Sequence, residues 1–272
     1  MPATRLGMPG RAGAADAASA HHDELAAVRA GELARLHSWE LVTAVDGPGT
    51  RLTLFLSGCL LRCQYCHNPD TWKMHDGELT PVTELVQRIR RYRGIFAASG
   101  GGVTLSGGEP LMQPAAVTRL LAECRALGVH TALDTSGYLG TRASDALLEN
   151  VDLVLLDVKS GLPDTYRTVT GRDLAPTIAF GDRLAARGIA VWVRFVLVPG
   201  LTDAVENVAA VADIVARWPN VQRVEVLPFH QMGEDKWDRL SIPYALHGVT
   251  PPDAALQDRV RAQFHERGLT VF

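Results

Sequence analysis

From about residue 39 onward the chain switches between two hydrophobic periods. Short apolar, β-branched runs at 51–57, 102–105, 129–134, 152–158, 189–198 and 221–228 predict strands. Between them, apolar residues three and four apart predict helices near 81–93, 114–127, 141–150, 175–187 and 203–218. Pro81 and Pro114 stand where helices commonly start, and Gly128 and Gly188 stand just past where two of them should end. A further helix at 252–267 precedes a short strand at 269–272. Six strands, five of them entered through a helix, imply a parallel sheet, because parallel neighbours need a crossover. The run 151–158 is apolar almost throughout, as expected of a strand covered by helices. The expected fold is α/β, an incomplete (β/α)6 barrel of parallel strands, formed by one domain over residues 37–272. Residues 1–36 are rich in Ala, Gly and charge, with a possible short helix around Leu25, Val28, Leu33 and Leu36. They are expected to be a poorly ordered N-terminal extension.

In such folds functional groups collect where strands end. The polar and Gly-rich segments of this chain fall in those places. Cys59–Cys66 follows the first predicted strand, Ser106-Gly107-Gly108-Glu109 the second, and Asp134-Thr135-Ser136-Gly137 the third. Asp157-Val158-Lys159 ends the fourth, Pro199-Gly200 follows the fifth and His230 the sixth. Signals at six strand ends on one rim predict one site.

Charge and length narrow the picture further. A net charge of −3 over 272 residues carries no basic footprint for nucleic acid. No apolar run reaches the ~18–20 residues that a bilayer crossing requires. Arg5 and Arg11 are followed by an Ala/Gly-rich polar stretch instead of the apolar core of a secretory signal. The expected location is the cytoplasm. Of the four cysteines, three lie within residues 59–66 and Cys124 stands alone, which speaks for metal or redox chemistry in a reducing compartment and against a disulfide framework. Cys124, in a predicted helix, reads as a small buried hydrophobe.

The triplet runs Cys59-Leu-Leu-Arg-Cys63-Gln-Tyr-Cys66-His67. A structural zinc site would need four protein ligands, and His67, adjacent to Cys66, is awkward as the fourth. Three thiolates at this spacing suit three corners of an iron–sulfur cubane, which is normally held by four. The missing ligand leaves one iron with an open position beside a Gly-rich rim, where a chelating cofactor can bind.

These residues resemble a known family. The C-x3-C-x2-C triplet with a Gly-Gly-Glu motif after the second strand is similar to the radical S-adenosylmethionine enzymes. The resemblance narrows to the pyruvate formate-lyase activating enzymes, within the activases of glycyl radical enzymes. It rests on Val45-Asp-Gly-Pro-Gly49, Tyr65-Cys-His-Asn-Pro-Asp-Thr-Trp72, Ser99-Gly-Gly-Gly-Val103, Leu156-Asp-Val-Lys159, Val198-Pro-Gly200, Leu227-Pro-Phe-His230, Lys236-Trp237 and Gly248-Val-Thr-Pro-Pro252. It runs from about His37 to Phe272.

The resemblance implies a barrel of the radical S-adenosylmethionine type with a [4Fe–4S] cluster on Cys59, Cys63 and Cys66 and S-adenosylmethionine on the open iron. One electron cleaves the sulfonium, and the 5′-deoxyadenosyl radical takes a hydrogen atom from a glycine of pyruvate formate-lyase under anaerobic conditions. Tyr65 and His67 are then expected near the adenine, and Gly107 and Gly108 near the methionyl group. Glu109 can accept from the cofactor amine or from backbone donors. Lys159 is expected on the cofactor carboxylate, with Asp157 and Val158 beside it and His230 at the rim. Asp134 with Thr135 resembles a monovalent-cation position. A flavodoxin or ferredoxin-type electron donor and a monomeric state are further expectations. Residues 66–99 leave no room for the ferredoxin-like insert of some activases, and Pro69 stands where some members carry a basic residue. A radical enzyme acting on a small molecule, such as a carboxy-deazaguanine synthase, would share the cysteines and the Gly-Gly-Glu loop.

Overall fold

The computed structural model describes residues 22–43 and 45–272. Its frame is an eight-stranded sheet in the order β3-β1-β2-β4-β5-β6-β7-β8. The strands are β1 (Leu33–Thr43), β2 (Thr50–Leu56), β3 (Glu78–Pro81), β4 (Gly102–Gly107), β5 (His130–Thr135), β6 (Leu153–Asp157), β7 (Ala190–Leu197) and β8 (Val221–Pro228). From β2 to β8 all pairs are parallel. The predicted parallel strands are thus present, and the sheet stays open, with β3 and β8 at opposite edges.

Helices join the parallel strands because the crossovers demand them. Val82–Ser99 precedes β4, Pro114–Ala126 precedes β5, Ala175–Arg187 precedes β7 and Val205–Val215 precedes β8. Gly188 ends the third of these in the left-handed region at φ 66°, where an L side chain would be strained. Leu52, Leu54, Leu56, Val103, Leu105, Leu133, Val154, Leu156, Val193 and Phe195 belong to one buried core. Each such side chain contributes roughly 1.5–3 kcal/mol on burial.

Several expectations need correction. β1 pairs antiparallel with both β2 and β3, and it begins at Leu33, with Ala34 and Leu36 buried. The sheet therefore takes in residues 33–36, which the sequence reading left in the extension. β1 escaped notice because Ser38 and Glu40 break its apolar pattern, and both line a cavity rather than packing on hydrophobic neighbours. The helix expected around Leu25 and Val28 spans 22–29, while the remainder of the extension, 1–21, lies outside the described residues. The helix expected at 141–150 shrinks to Asp145–Leu148, and 269–272 supplies one parallel bridge, Val224 to Val271. Pro163–Thr170 and Glu234–Arg239 are further helices. The first carries three threonines, which disguise its period as that of a loop.

Candidate active site

A cavity of about 800 Å³ opens inside the curved sheet, and every parallel strand or the loop after it contributes to its lining. That volume falls in the range of small-molecule sites.

The cysteine loop forms one wall. It is fixed by its backbone: Gly58 N donates to Thr71 O (2.7 Å), Cys59 N to Trp72 O (3.1 Å), Arg62 N to Thr170 O (2.8 Å) and Gln64 N to Val169 O (3.0 Å). Trp237 Nε1 donates to Cys66 O at 2.9 Å, so the helix Glu234–Arg239 is clamped onto the same loop. Cys59, Cys63 and Cys66 all line the cavity, whereas Cys124 is buried in the core. Burial pushes all three cavity thiols up, Cys63 to about 12, and neighbouring thiols add to the effect for Cys59 and Cys63. A thiolate trio in this wall therefore needs the positive charge of bound metal. Among the described residues no three His, Cys, Asp or Glu side chains converge on a point that one metal ion would occupy. Thiols spread along a wall match a cubane, in which each iron takes its own thiolate. The donor set fits an iron–sulfur cluster.

Beside the thiols, Lys159 Nζ donates to Asp157 Oδ2 at 2.6 Å and lies 5.6 Å from the centre of the Tyr65 ring. Burial works against the ammonium, but the Asp157 carboxylate outweighs it and holds Lys159 charged. Tyr65 is buried, and its hydroxyl has no hydrogen-bond partner among the described residues. The His67 and His230 rings stack with centroids 4.1 Å apart, and His67 Nε2 donates to the His230 carbonyl at 3.3 Å. Burial, then the His230 charge, lowers the His67 pKa, so this imidazole is neutral at pH 7.

The lining also carries a set of charged groups around Asp134 and Arg194. Asp134 Oδ2 accepts from Ser106 Oγ at 2.6 Å and pairs with Arg194 Nη1 at 3.1 Å, while its buried Oδ1 has no hydrogen-bond partner among the described residues. Burial, with Asp157 and Asp46 nearby, raises the Asp134 carboxyl to about 6 against the pull of Arg194. Arg194 also faces Asp46 at 3.7 Å and Glu225 at 3.8 Å. Burial disfavours its charge, but these carboxylates outweigh that cost.

Of the residues anticipated from sequence, Tyr65, His67, Gly107, Gly108, Asp134, Asp157, Lys159 and His230 join the three cysteines around this cavity. Two do not. Glu109 lies behind the wall, 1% exposed, and its carboxylate accepts from Leu111 N (3.2 Å), Thr135 Oγ1 (2.7 Å), Ser136 N (3.0 Å) and Ser136 Oγ (2.6 Å). Of the two readings, a cofactor amine or donors of the protein itself, these four contacts support the second, a bracket between two loops. Val158 is fully buried among core side chains, because its neighbours Asp157 and Lys159 take the cavity face of an extended segment.

Gly108 also acquires a second use. A Cβ there would stand 2.5 Å from Gly58 O, so its absence lets this loop close against the cysteine loop. Arg194 and Asp46, which line the cavity, were not anticipated as site residues. A lone arginine inside the apolar strand Ala-Val-Trp-Val-Arg-Phe-Val-Leu is the signal that could have found the first.

Known proteins bear on this geometry. Residues 53–212 match the Radical SAM superfamily. The chain is 41% identical over 234 residues to the pyruvate formate-lyase-activating enzyme of Clostridium pasteurianum, covering 86% of this chain and 98% of that one. It is 46% identical to the pyruvate formate-lyase-activating enzyme of Staphylococcus epidermidis, over 80% of this chain and 90% of the relative. The pyruvate formate-lyase 1-activating enzyme of Escherichia coli K12 is 38% identical, over 88% of this chain and 98% of the relative. Among solved structures, a domain of the pyruvate-formate lyase-activating enzyme of Bacteroides vulgatus superposes with a TM-score of 0.54 at 25% identity, over 64% of this chain and 98% of that one. Streptococcus suis SuiB bound to its precursor peptide SuiA gives 0.62 at 13% identity, over all of this chain and 56% of that one, a likeness of fold. The thiol wall, the open parallel sheet and these near full-length alignments agree: the chain belongs to the pyruvate formate-lyase-activating enzymes of the radical S-adenosylmethionine superfamily.

Proposed function

We propose that this protein activates pyruvate formate-lyase under anaerobic conditions by placing a glycyl radical on it. The observation that carries the reading is the convergence of three thiols and the Lys159–Asp157 pair on one cavity, in a chain that aligns with 98% of an activating enzyme's length. A [4Fe–4S] cluster held by Cys59, Cys63 and Cys66 would supply the one electron that splits S-adenosylmethionine into methionine and a 5′-deoxyadenosyl group able to take the glycine α-hydrogen, with 5′-deoxyadenosine and a glycyl radical on the partner as the products.

The protein's part is to hold and orient. Cys59, Cys63 and Cys66 would hold the cluster, and Lys159 would meet the methionyl carboxylate as a point charge kept ionised by Asp157. Tyr65 and the stacked pair His67 and His230 would flank the adenine, with neutral His67 adding no repulsion to a sulfonium cation. Gly107 and Gly108 would leave room beside the methionyl group. The unpartnered Asp134 Oδ1, next to Thr135, would take a monovalent cation.

A flavodoxin or ferredoxin-type protein would deliver the electron, and the enzyme would act as a monomer in the cytoplasm. Among the described residues no helix is long and apolar enough to cross a membrane. The test is electron paramagnetic resonance of reconstituted, reduced protein mixed with S-adenosylmethionine and pyruvate formate-lyase. A glycyl radical that vanishes when the partner's target glycine is changed to alanine is the expected result. No radical with the native partner, together with turnover stimulated by a small carboxylic acid, would leave the superfamily standing and overturn the activase reading.

A further inference from the structure

Each turnover of the proposed chemistry consumes one electron, and that electron has to reach the thiol wall from outside the molecule. The cysteine loop has two faces. One lines the cavity, and the other meets solvent. On the solvent side stands Arg62, exposed within the loop, which donates from Nη1 to Cys59 O at 2.8 Å and to Leu61 O at 2.7 Å. Arg172, exposed just past the helix Pro163–Thr170, donates from Nε to Leu60 O at 2.9 Å. The backbone brings the two together: Arg62 N donates to Thr170 O at 2.8 Å, and Arg172 N to Thr170 Oγ1 at 3.1 Å. Neither lines the cavity.

Among the described residues neither arginine forms an ion pair. Their internal bonds go to carbonyls, which spares Nε and Nη2 of Arg62 and both Nη atoms of Arg172. Asp173, the neighbour of Arg172, is held by Arg167 at 2.7 Å. Free guanidinium forks at a surface suit the carboxylates of another molecule. Arg62 also lies over the Trp72 ring, 4.7 Å from its centre, which keeps it in place. Trp72 in turn touches the thiol segment. Cys59 N donates to Trp72 O at 3.1 Å, and against the larger effect of burial, hydrogen bonds from the Asn68 backbone and the Trp72 side chain pull the Cys66 thiol down. Lys73, next along, is exposed and makes no ion pair among the described residues. The flank beside Trp237 has the other character. The helix Glu234–Arg239 carries Glu234, Asp235 and Asp238 against Lys236 and Arg239, and Asp70 takes Lys236 at 3.1 Å. An acidic protein is drawn to the Arg62 side and turned away from that helix. An electron also crosses least protein where the ligating loop itself forms the surface.

We infer that Arg62, Arg172 and Lys73 form the docking face for an acidic one-electron carrier protein, which reduces the cluster across the Cys59–Cys66 loop and leaves the cavity free for S-adenosylmethionine and the glycine. One electron passes from the reduced carrier to the cluster, the carrier is oxidised by one electron, and no atom changes place. The need for the electron rests on the activase reading; the place of the face rests on the loop's own surface.

Stopped-flow absorbance near 400 nm follows reduction of the reconstituted cluster by reduced flavodoxin and, separately, by reduced ferredoxin, with dithionite as a small reductant that needs no docking. With both Arg62→Gln and Arg172→Gln in place, the second-order rate constant for the better carrier should fall at least about tenfold at low ionic strength, the scale of electrostatic steering. The gap from the parent should close at about 0.5 M salt, where screening is short-ranged. Iron content, the Kd for S-adenosylmethionine and the dithionite rate should stay within about twofold of the parent. Arg62→Lys with Arg172→Lys keeps both charges without the carbonyl fork and should restore most of the carrier rate. Lys73→Glu, whose side chain holds no part of the loop, should lose about threefold. An unchanged carrier rate in the glutamine pair, an equal loss with dithionite, a loss that salt does not relieve, or a parent cluster that neither carrier reduces would overturn the proposal. If the glutamine pair fails to hold iron, Lys73→Glu decides alone, and a carrier rate equal to the parent's overturns the docking face. A parent whose cluster a carrier reduces but which puts no radical on pyruvate formate-lyase would sink the activase reading and leave the docking face standing.

Discussion

Glu109 and Asp134 are carboxylates at the ends of neighbouring strands, β4 and β5, and both are enclosed, yet they are treated oppositely. Glu109 receives four donors from the Thr135–Ser136 and Leu111 segments. Asp134 shares one oxygen between Ser106 and Arg194 and leaves the other bare, although it is buried. Burial raises the pKa of both, and only Glu109 has a full set of hydrogen bonds opposing the rise. A satisfied buried carboxylate rigidifies the loops around it, while an unsatisfied one beside a cavity is a group built for a partner. The same division separates the two ends of the barrel: Arg51 beneath is saturated, and the Tyr65 hydroxyl and Asp134 Oδ1 above are not.

The largest effects should come from the thiol wall. Alanine at Cys59, Cys63 or Cys66 should abolish cluster binding, read as iron content and absorbance near 400 nm after anaerobic reconstitution, whereas Cys124→Ala should keep both. Normal iron in Cys63→Ala would break the ligand assignment.

Glu109→Ala comes next. It strands donors from two loops at once, and a loss of ~2–4 kcal/mol in stability follows from ~1–3 kcal/mol for a single orphaned buried group. Chemical denaturation that shows less than 1 kcal/mol would contradict the bracket role.

Asp134→Asn should behave in the other direction. Its folded pKa, about 6, lies above the ordinary carboxylate value of 3.8, so the native state binds the proton more tightly than the unfolded chain. Ionisation then costs stability as pH rises between those values. In metal-free protein without added cations, Asp134→Asn should be more stable than the parent by up to ~2–3 kcal/mol at pH 7, with the difference gone near pH 3.5. A destabilised variant at pH 7 would show that Asp134 is structural, like Glu109.

Lys159→Ala should leave iron content intact and weaken S-adenosylmethionine binding by ~1.5–3 kcal/mol, the worth of a hydrogen bond to a charged group. An unaltered Kd would confine Lys159 to its pair with Asp157.

How far this could be read from sequence depended on how each residue's signal arises. The parallel strands were legible because helices cover them and their apolar runs are nearly continuous. β1 was not, since a strand that faces a polar cavity alternates like a loop. The cysteines and the polar residues that close the strands were legible from position alone, because strand ends share one rim. The donors of Glu109 were hidden, because they come from segments that meet only in three dimensions. Val158 stands between two cavity residues of an extended segment, which leaves its side chain pointing the other way, into the core. Arg51 and Arg194 stayed unread for a related reason. A single charge in an apolar strand declares that something compensates it, and the partners lie on other strands.

The transfer itself can be followed with an isotope. Pyruvate formate-lyase carrying α-deuterated glycine, mixed anaerobically with reduced enzyme and S-adenosylmethionine, should yield 5′-deoxyadenosine bearing one deuterium in step with the glycyl radical signal. Deuterium-free 5′-deoxyadenosine alongside a full radical signal would contradict direct abstraction of the glycine hydrogen within this cavity.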